Sequence, residues 1–313
     1  NEDLGACNFR TCCSEKDIED ASEVAFQLDI PYEVLDFTLD FQEKIIGKFV
    51  RTYEAGGTPN PCIDCNRFMK FDKLLDFAEQ HGLYYVVTGH YARIEQDEQT
   101  GRWLLKKGVD AGKDQSYVLY NFTQEQLAHT LMPLGGYNKD WVRQKAEELG
   151  LGVAHKPDSQ EICFVEDDDY AKFITDYSGY KPKEGDILDV NGNVIGKHRG
   201  LIYYTIGQRK GIGAYGRPMF VMKIDAENNT ITLGEKGMEF SNELTAYDVN
   251  FVSGEFPKEN MLITAKVRYQ APPAAAMLCP QKDGTVKLMF PEPQRAVTPG
   301  QAVVFYDGDI VLG

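Results

Sequence analysis

The sequence predicts an α/β protein built from three parts. Helical and strand-like patterns alternate over the first half of the chain, which is typical of a parallel sheet with helical crossovers. Strand patterns dominate from about Asp186, and from about Asp225 they predict an antiparallel barrel or sandwich. We therefore expect a parallel-sheet α/β domain over residues 1–164, a small central α+β domain over residues 165–224 and a C-terminal antiparallel β-barrel over residues 225–313.

The N-terminal elements follow from periodic apolar residues and their capping signals. A capping box that starts at Ser14 opens a helix, and apolar side chains recur at helical spacing in two further segments. Gly82 ends the third helix, and a buried strand is expected to follow it. In chain order, the predicted elements are a helix from Ser14, a strand at residues 32–37, helices at residues 41–53 and 71–78, and a strand at residues 84–88.

The later elements are marked by turn residues and helix caps. A hairpin is expected around Thr100-Gly101, and an acidic run at residues 166–169 precedes a helix near Tyr170, as the helix dipole favours. Further helices are predicted over residues 115–121, 123–129 and 138–150. Hairpin turns are predicted at Asn191-Gly192, Asn228-Asn229, Asp283-Gly284 and Asp307-Gly308.

The composition argues against a membrane span and against general coating of nucleic acid. The chain has no run of about eighteen apolar residues and no signal peptide, so we expect a cytoplasmic protein with no membrane partner. A net charge of −15 disfavours general phosphate binding. However, residues 197–223 carry seven basic side chains and no Asp or Glu, which fits either a solvated face or a local patch for an anionic polymer.

Three of the seven cysteines form the most informative pattern. Cys62 and Cys65 make a C-x-x-C motif after a rigid loop, and Cys163 stands outside any periodic apolar run. A helix that begins near Asn66 would place backbone N–H groups beside Cys65 and lower the pKa of that thiol. A lone C-x-x-C fits a redox disulfide or half of a metal site equally well. Together with Cys163 it indicates sulfur chemistry, in which one thiolate attacks and another thiol carries sulfur. The other cysteines are interpreted as structural, core or surface thiols: Cys7, Cys12, Cys13 and Cys279.

Three further segments suggest binding. His90 follows Gly89 at the end of a predicted strand, where parallel sheets bind ligands, although it also fits a surface histidine. Lys113-Asp114-Gln115 is expected to open a helix, where a lysine and exposed N–H groups can meet a phosphate. Residues 207–213 form a basic, glycine-rich loop that suits a phosphate backbone better than a dinucleotide.

These segments, in this order, closely resemble the tRNA-specific 2-thiouridylase family, whose members thiolate the wobble uridine of certain tRNAs. The resemblance covers essentially the whole chain. Six colinear matches carry it: Thr58-Pro59-Asn60-Pro61 with Cys65-Asn66 and Lys70-Phe71, Thr88-Gly89-His90-Tyr91, Lys113-Asp114-Gln115-Ser116-Tyr117, Asp158-Ser159 with Ile162-Cys163-Phe164, Thr205-Ile206-Gly207-Gln208-Arg209-Lys210-Gly211, and Thr298-Pro299-Gly300-Gln301.

The resemblance implies a fold, a reaction and partners. The N-terminal domain would be an ATP-pyrophosphatase-type fold that uses ATP with Mg²⁺ to adenylate the 2-carbonyl of the uridine. A sulfur-donor protein, either a cysteine desulfurase or a sulfur relay protein, would load Cys163 with a persulfide. Cys65 would act as the nucleophile, releasing sulfide at the activated carbon or resolving the persulfide as a Cys65–Cys163 disulfide. Gly89 matches a position that contacts the nucleotide.

The resemblance also implies a tRNA-binding surface. Asn60, Pro61 and Cys62 match positions that hold the target base. Further matches to tRNA-contacting positions are His90, Lys113, Asp114, Gln115, Arg268, Tyr269 and Gln301. The charge pattern of the basic loop adds Arg209 and Lys210 to this surface.

Two departures from the family pattern leave alternatives open. The family's Ser-Gly-Gly-x-Asp-Ser phosphate loop does not occur in this sequence, which begins at Asn1 and is expected to lack its N-terminal part. Many members carry Asp where Cys62 stands, so proton transfer would pass to Asp64 or to water, or Cys62 has its own task. Cys62, Cys65 and Cys163 could instead hold an iron–sulfur cluster with one open iron. A further alternative is a non-catalytic RNA-binding protein stabilised by a Cys-ligated metal.

Overall fold

Three helices begin the described part of the N-terminal domain. The computed structural model describes residues 15–157, 162–165 and 168–313. Helix α1 spans Glu15–Gln27, α2 spans residues 38–54 and α3 spans residues 61–80. Several residues named in the predictions lie outside the described part: Cys7, Cys12, Cys13, Ser14, Asp158, Ser159 and the first two acids of the run at residues 166–169.

Helix α2 confirms the helix predicted over residues 41–53. Its α-helical ends, Thr38–Phe41 and Gly47–Glu54, flank a π-helical segment at Gln42–Ile46. The buried side chains of this helix are Ile45, Ile46, Phe49, Val50 and Tyr53. Their spacing gives α2 one apolar face, which packs into the domain core.

Helix α3 is longer than predicted. It consists of Pro61–Asp64, a π-helical segment at Cys65–Lys73 and Leu74–Gln80, so the helix predicted over residues 71–78 is its second half. The chain leaves the helix at Gly82, whose φ of 67° is the left-handed conformation expected of a helix-ending glycine.

The parallel sheet is short. Strand β1 (Val86–Val87) pairs in parallel with β4 (Thr130–Leu131). Strand β1 lies within the strand predicted at residues 84–88, but Val87 is 61% exposed, so the expectation of a buried strand is wrong for this side chain. The strand predicted at residues 32–37 is not formed, because these residues have no partner strand in the described part of the chain.

An eight-stranded antiparallel sheet confirms the predicted C-terminal β-domain. Its strand order is β2-β3-β14-β13-β10-β11-β12-β9. Strands β2 (Ala92–Gln96) and β3 (Trp103–Lys107) form the hairpin predicted at Thr100-Gly101, yet they join this sheet rather than the parallel one. The other strands are β9 (Phe240–Ala246), β10 (Met261–Lys266), β11 (Ala274–Pro280), β12 (Val286–Arg295), β13 (Val304–Asp307) and β14 (Ile310–Val311).

A four-stranded sheet of order β6-β5-β8-β7 forms the central unit. Its strands are β5 (Gly185–Leu188), β6 (Val194–His198), β7 (Met219–Asp225) and β8 (Thr230–Glu235). The hairpin of β7 and β8 turns at the predicted Asn228-Asn229. Because this hairpin pairs across the boundary predicted between residues 224 and 225, the central sheet continues to Glu235.

The remaining helices are short, and none of the described helices is long and apolar enough to cross a membrane. The helices predicted to start at residues 123 and 138 form, and the side chains of Thr123 and Asn138 cap them. The segment predicted to be helical over residues 115–121 forms a 3₁₀ turn. The bounds are α4 Gln124–Ala128, α5 Lys139–Glu148 and α6 Tyr170–Ser178, with 3₁₀ turns at Ser116–Leu119, Pro133–Gly136 and Leu201–Tyr203.

Helix α3 contributes to two apolar cores. The first, which we call the thiol-side core, consists of Ile45, Ile46, Phe49, Val50, Tyr53, Met69, Phe164, Val165, Ala171, Phe173, Ile174 and Ile202. The second lies against the β-domain and includes Ile63, Phe71, Leu105, Leu127 and Tyr306. Helix α3 is therefore the structural link between the thiol-bearing segments and the β-domain.

Candidate active site

The C-x-x-C motif opens helix α3. Asn60 is the N-cap, and its side-chain Oδ1 accepts a hydrogen bond from the backbone N–H of Cys62 at 3.2 Å. Pro61 takes the first helical position, where its missing N–H leaves no bond unmade. The backbone N–H of Cys65 donates to the carbonyl oxygens of Cys62 and Pro61, so the two cysteines lie one turn apart on one side of the helix.

This helix start corrects the expectation for Cys65. The prediction that the helix begins near Asn66 is wrong, because the Asn60-Pro61 pair caps and starts it earlier. The positive end of the helix dipole therefore lies beside Cys62 rather than Cys65.

Cys65 and Cys163 reach the thiol-side core from different segments. Cys65 lies on α3, and Cys163 precedes Phe164, whose buried ring packs edge-on against Phe49 with centroids 5.1 Å apart. Both thiols are partly buried, whereas Cys62 is exposed, and none of the three is joined in a disulfide. The structure thus brings the two predicted sulfur-handling cysteines to one core.

The three cysteines do not form a metal-binding set. Within residues 15–157, 162–165 and 168–313, which include Cys62, Cys65 and Cys163, no group of three or more His, Cys, Asp or Glu side chains is placed to hold a metal ion. The three cysteines therefore do not fit the iron–sulfur cluster or the structural metal of the two alternatives.

Asp64, considered above for proton transfer, is engaged in an ion pair. Its side chain is buried, and Oδ1 accepts a hydrogen bond from Lys48 Nζ at 2.7 Å. This contact ties the first turn of α3 to α2, which is a structural use of the carboxylate.

A hydrogen-bonded network joins α3 to the end of β1. Asn66 Nδ2 donates to the Val118 carbonyl at 3.3 Å, so Asn66 Oδ1 accepts from His90 Nε2 at 3.1 Å. The other ring nitrogen, Nδ1, accepts from the Thr88 hydroxyl at 2.9 Å. Burial, with a smaller contribution from Lys70, lowers the pKa of His90 to about 3, so the imidazole is neutral near pH 7.

This network encloses His90, which is 7% exposed. The contact of His90 with tRNA stays a prediction, since in this structure both ring nitrogens bond to protein atoms. Sequence reasoning assigned no role to Asn66, although Asn66 lies in a matched segment. A polar residue that follows Cys65 on a helix with apolar neighbours was the available signal.

A pocket of about 340 Å³ lies between α3 and the residues that follow β1. Its volume is at the lower end of the range for ligand sites, about 300 to 1,000 Å³. Gly89 contributes backbone alone, and a Cβ at this position would meet only Leu134 Cδ1, at 3.6 Å. The pocket is lined by Lys70, Leu74, Thr88, Gly89, His90 and Gln115.

Local hydrogen bonds shape the Lys113-Asp114-Gln115 segment. Gln115 Oε1 accepts from the Tyr91 N–H at 2.9 Å, and the Gln115 N–H donates to the Tyr91 carbonyl at 3.0 Å. The Asp114 carboxylate accepts from two backbone N–H groups and from the Ser116 hydroxyl. Lys113 is half-buried at the start of this turn. Gln115 of this segment lines the pocket described above. The predicted contacts of the segment with tRNA remain predictions.

Tyr269 and Lys266, both in the β-domain, lie next to the segment that contains Asp114 and Tyr117. The Tyr269 hydroxyl donates to the Asp114 carbonyl at 3.4 Å, and its ring packs against Tyr117 with centroids 5.6 Å apart. Lys266 Nζ lies 5.7 and 5.6 Å from the centroids of these two rings. Burial, then the negative charges of Asp114 and of a Cys62 thiolate, raise the pKa of Tyr269. Sequence reasoning missed Lys266, which stands in a strand pattern with no motif around it.

Arg268 connects two loops. One of its terminal nitrogens, Nη2, donates to the carbonyl oxygens of Ile206 at 3.1 Å and Ala296 at 2.7 Å, and to the Thr298 hydroxyl. Its Nε is buried and has no hydrogen-bond partner among the residues that the structure describes, and burial lowers the pKa of the guanidinium. In this structure, the side chain predicted to contact tRNA holds the basic loop against the C-terminal loop.

Gln301 completes the same junction. Its Nε2 donates to the Thr58 carbonyl at 2.7 Å, and the Thr58 N–H donates to the Pro299 carbonyl at 2.8 Å. Gly300 has a φ of 90°, and a Cβ there would lie 2.9 Å from the Thr58 nitrogen, so glycine is required. Three matched segments therefore meet at one place, which we call the loop junction: Thr58, Thr205, Arg268 and Gln301.

Ion pairs neutralise part of the predicted basic window at residues 197–223. Arg209 and Lys210 are exposed and form no ion pair within the described part of the chain. Arg199 instead lies over the Tyr203 ring, 4.0 Å from its centroid. Three other cations are paired with acids that lie outside the window: Lys197 with Asp186, Arg217 with Glu235 and Lys223 with Asp225. The cations of the window that remain available to an anionic polymer are therefore Arg209 and Lys210 of the glycine-rich loop.

Three family models match consecutive parts of the chain. The model described as "tRNA methyl transferase HUP domain" matches residues 2–167. The "tRNA methyl transferase PRC-barrel domain" matches residues 171–235, whose end coincides with the end of β8. The "Aminomethyltransferase beta-barrel domain" matches residues 241–313.

Curated relatives are similar over nearly the whole chain. The tRNA-specific 2-thiouridylase MnmA of Acetivibrio thermocellus is 55% identical over 303 residues, which cover 96% of this chain and 84% of the relative. The proteins of the same name from Clostridioides difficile and Clostridium beijerinckii are 53% and 50% identical, with the same coverage. The descriptions of the family models refer to methyl transfer, whereas the names of the relatives refer to thiolation. We assign the family from the relatives, because their identity of 50% or more extends through all three domains. The chain belongs to the tRNA-specific 2-thiouridylase family.

Proposed function

We propose that this chain transfers sulfur to carbon 2 of the wobble uridine of tRNA in an ATP-dependent reaction. The observation that carries the proposal is the hydrogen bond between His90 and Asn66. It joins the wall of a ligand-sized pocket to the residue that follows Cys65, and Cys65 packs with Cys163 on the thiol-side core. One helix thus connects a place for activating a substrate with two thiols that can move sulfur.

The pocket residues fit the nucleoside part of ATP. Leu74 offers an apolar surface, Thr88 and Gln115 offer polar groups, and Gly89 lets a ligand approach the backbone. Lys70 is the cation among the lining residues and suits a phosphate oxygen. ATP would supply the activation, because adenylation turns the 2-carbonyl oxygen of the uridine into a leaving group.

We assign the sulfur steps to the two partly buried thiols. Cys163 receives a sulfur atom from a donor protein and holds it as a persulfide. The outer sulfur bonds to carbon 2 while the bond from carbon 2 to the adenylated oxygen breaks. The Cys65 thiolate then attacks the Cys163 sulfur, forming a Cys65–Cys163 disulfide and leaving the outer sulfur on the uridine. The two thiols supply the two electrons that this sulfur gains.

The tRNA is proposed to lie across the start of α3 and the loop junction. Asn60, Pro61 and Cys62 stand at the start of α3, where Cys62 is exposed, Asn60 is half-buried and Pro61 is buried. The loop junction fixes the position of the glycine-rich loop relative to this start, because Arg268 binds the Ile206 carbonyl. The exposed cations of that loop can then follow the phosphate backbone.

Nucleoside analysis of tRNA tests the proposed function. The full-length protein is incubated with substrate tRNA, ATP, S-adenosylmethionine, cysteine and a cysteine desulfurase, and the digested tRNA is examined by mass spectrometry. We expect 2-thiouridine that forms only when ATP is present. Methylated nucleosides formed from S-adenosylmethionine, with no thiolation, would overturn the proposal in favour of methyl transfer.

Cys62→Asp is expected to retain measurable thiolation when dithiothreitol is in excess. The persulfide route gives the sulfur steps to Cys65 and Cys163, and the substitution removes neither thiol. Bound iron and the visible absorbance of the anaerobically purified variant are measured together with activity. A carboxylate is a poor substitute for a thiolate at iron, so loss of both iron and activity would favour a cluster-dependent route.

The double substitution Arg209→Ala/Lys210→Ala is expected to weaken all substrate tRNAs to a similar degree. Each lost phosphate contact changes the slope of log affinity against log salt by about 0.7 to 0.9, so the slope should flatten by roughly one to two units. Binding is measured by filter retention over a salt series.

A matched control is Arg217→Ala/Lys223→Ala, since both cations already pair with Glu235 and Asp225. This control should change the slope less than the loop variant does. An unchanged slope in Arg209→Ala/Lys210→Ala would place the tRNA on another surface and return the basic window to its interpretation as a solvated face.

A further inference from the structure

The sulfur steps proposed above leave Cys62 without a task. Yet Cys62 lies one turn before Cys65, on the same side of α3, and its thiol is the exposed one of the two. It also lies at the positive end of the helix, which stabilises a thiolate. An exposed cysteine in this position has the properties of an attacking thiol.

The end of the proposed reaction creates a need for such a thiol. Sulfur transfer leaves Cys65 and Cys163 joined, and both residues are partly buried on the thiol-side core. Thiol–disulfide exchange requires the attacking thiolate to approach along the disulfide axis, so partial burial hinders an external reductant. A neighbouring thiol within the protein avoids this barrier, because its effective concentration is high.

The geometry of the first turn of α3 suits exchange between Cys62 and Cys65. The Cys65 N–H is shared between the carbonyl oxygens of Cys62 and Pro61 in the first turn, and side chains three residues apart are neighbours on a helix surface. The Cβ atoms of residues at this spacing are about 5–6 Å apart, and a disulfide needs a Cβ distance of about 3.5–4.5 Å, so closure requires an approach of about 1–2 Å. The pair can therefore close with a small adjustment of one turn.

We propose that Cys62 is the resolving thiol of the reaction, a third catalytic cysteine that reopens the Cys65–Cys163 disulfide. This inference rests on the proposed function. The Cys62 thiolate attacks the Cys65 sulfur; the Cys62–Cys65 bond forms, the Cys65–Cys163 bond breaks, and Cys163 leaves as a thiolate. The exchange involves no net oxidation. A dithiol reductant then attacks the exposed Cys62 sulfur and gives up two electrons, which restores both thiols.

The three cysteines would then have separate roles. Cys163 regains a thiolate that can accept the next sulfur while the oxidised pair waits at the surface. The external reductant needs to reach only Cys62, which is the exposed member of the set.

Comparing the first turnover with steady state tests this role. Full-length Cys62→Ser protein is loaded with persulfide and supplied with tRNA and ATP at limiting dithiothreitol. We expect its steady-state rate, relative to its own first-turnover rate, to fall roughly tenfold below that of wild type, and excess dithiothreitol to restore the ratio. Cys279→Ser serves as the control, since Cys279 lies in β11 of the β-domain, and its ratio should match wild type. An unchanged ratio in Cys62→Ser would overturn the proposal.

Disulfide mapping provides a readout that does not depend on thiolation. Wild-type protein is equilibrated with oxidised and reduced dithiothreitol, alkylated, and digested without reduction for mass spectrometry. We expect the Cys62–Cys65 disulfide to predominate in wild type and the Cys65–Cys163 disulfide to appear in Cys62→Ser. A predominant Cys65–Cys163 disulfide in wild type would overturn the relay. Absence of any thiolated nucleoside, with the expected disulfides present, would instead count against the proposed function alone.

Discussion

Replacing Cys163 by serine is expected to abolish tRNA thiolation while leaving tRNA affinity near that of wild type. The serine hydroxyl cannot hold a persulfide, so no sulfur reaches the activated uridine. The substitution is nearly isosteric, and Cys163 packs at the edge of the thiol-side core rather than within its fully buried set. Thiolated nucleosides are counted by mass spectrometry, and tRNA binding is measured in parallel.

Cys279→Ser provides the matched control for this substitution. Cys279 lies in β11, outside helix α3 and outside the thiol-side core. The control should retain both thiolation and binding. Full thiolation by Cys163→Ser would end the persulfide proposal, whereas loss of binding in Cys163→Ser would indicate a structural rather than a chemical role.

Local signals explain which elements could be predicted from the sequence. The helix that starts at Asn138 and the turn at Asn228-Asn229 depend on residues a few positions apart, and the structure forms both as expected. The start of α3 was missed although its signal, Asn60 followed by Pro61, is equally local. Apolar periodicity alone starts a helix at Phe71, whereas the Asn60-Pro61 cap starts it at Pro61.

Tertiary pairing explains what the sequence could not predict. The hairpin of β2 and β3 lies in the N-terminal half, yet Lys106 pairs with Ile310 and draws the hairpin into the C-terminal sheet. The bond between Asn66 and His90 likewise joins residues that no periodicity relates. Such contacts depend on how domains pack, which single-chain patterns do not encode.

At the loop junction, the sequence likewise does not predict what each functional residue contacts. A motif indicates that Arg268 and Gln301 matter, but it does not distinguish contact with a ligand from contact between loops. In the structure both side chains bond to neighbouring loops, and within the described part of the chain the buried Nε of Arg268 has no hydrogen-bond partner. Their effect on tRNA is therefore expected to act through the position of the glycine-rich loop.

Cys65→Ser is expected to lower thiolation by on the order of 10³-fold or more, since loss of a nucleophile removes a step that no neighbouring group performs equally well. Unlike Cys163→Ser, this variant should accumulate persulfide on Cys163, because the donor can still load sulfur that Cys65 no longer releases. Mass spectrometry of the intact protein after incubation with the sulfur donor detects the added sulfur atom.

The two inactive variants are thus expected to differ in what they retain. Cys65→Ser holds sulfur and stalls, whereas Cys163→Ser never acquires it, and a general loss of folding would give neither pattern. Normal turnover by Cys65→Ser would show that another group releases the sulfur. Cys62, one turn away and at the positive end of the helix, would then be the first residue to test, by combining Cys62→Ser with Cys65→Ser.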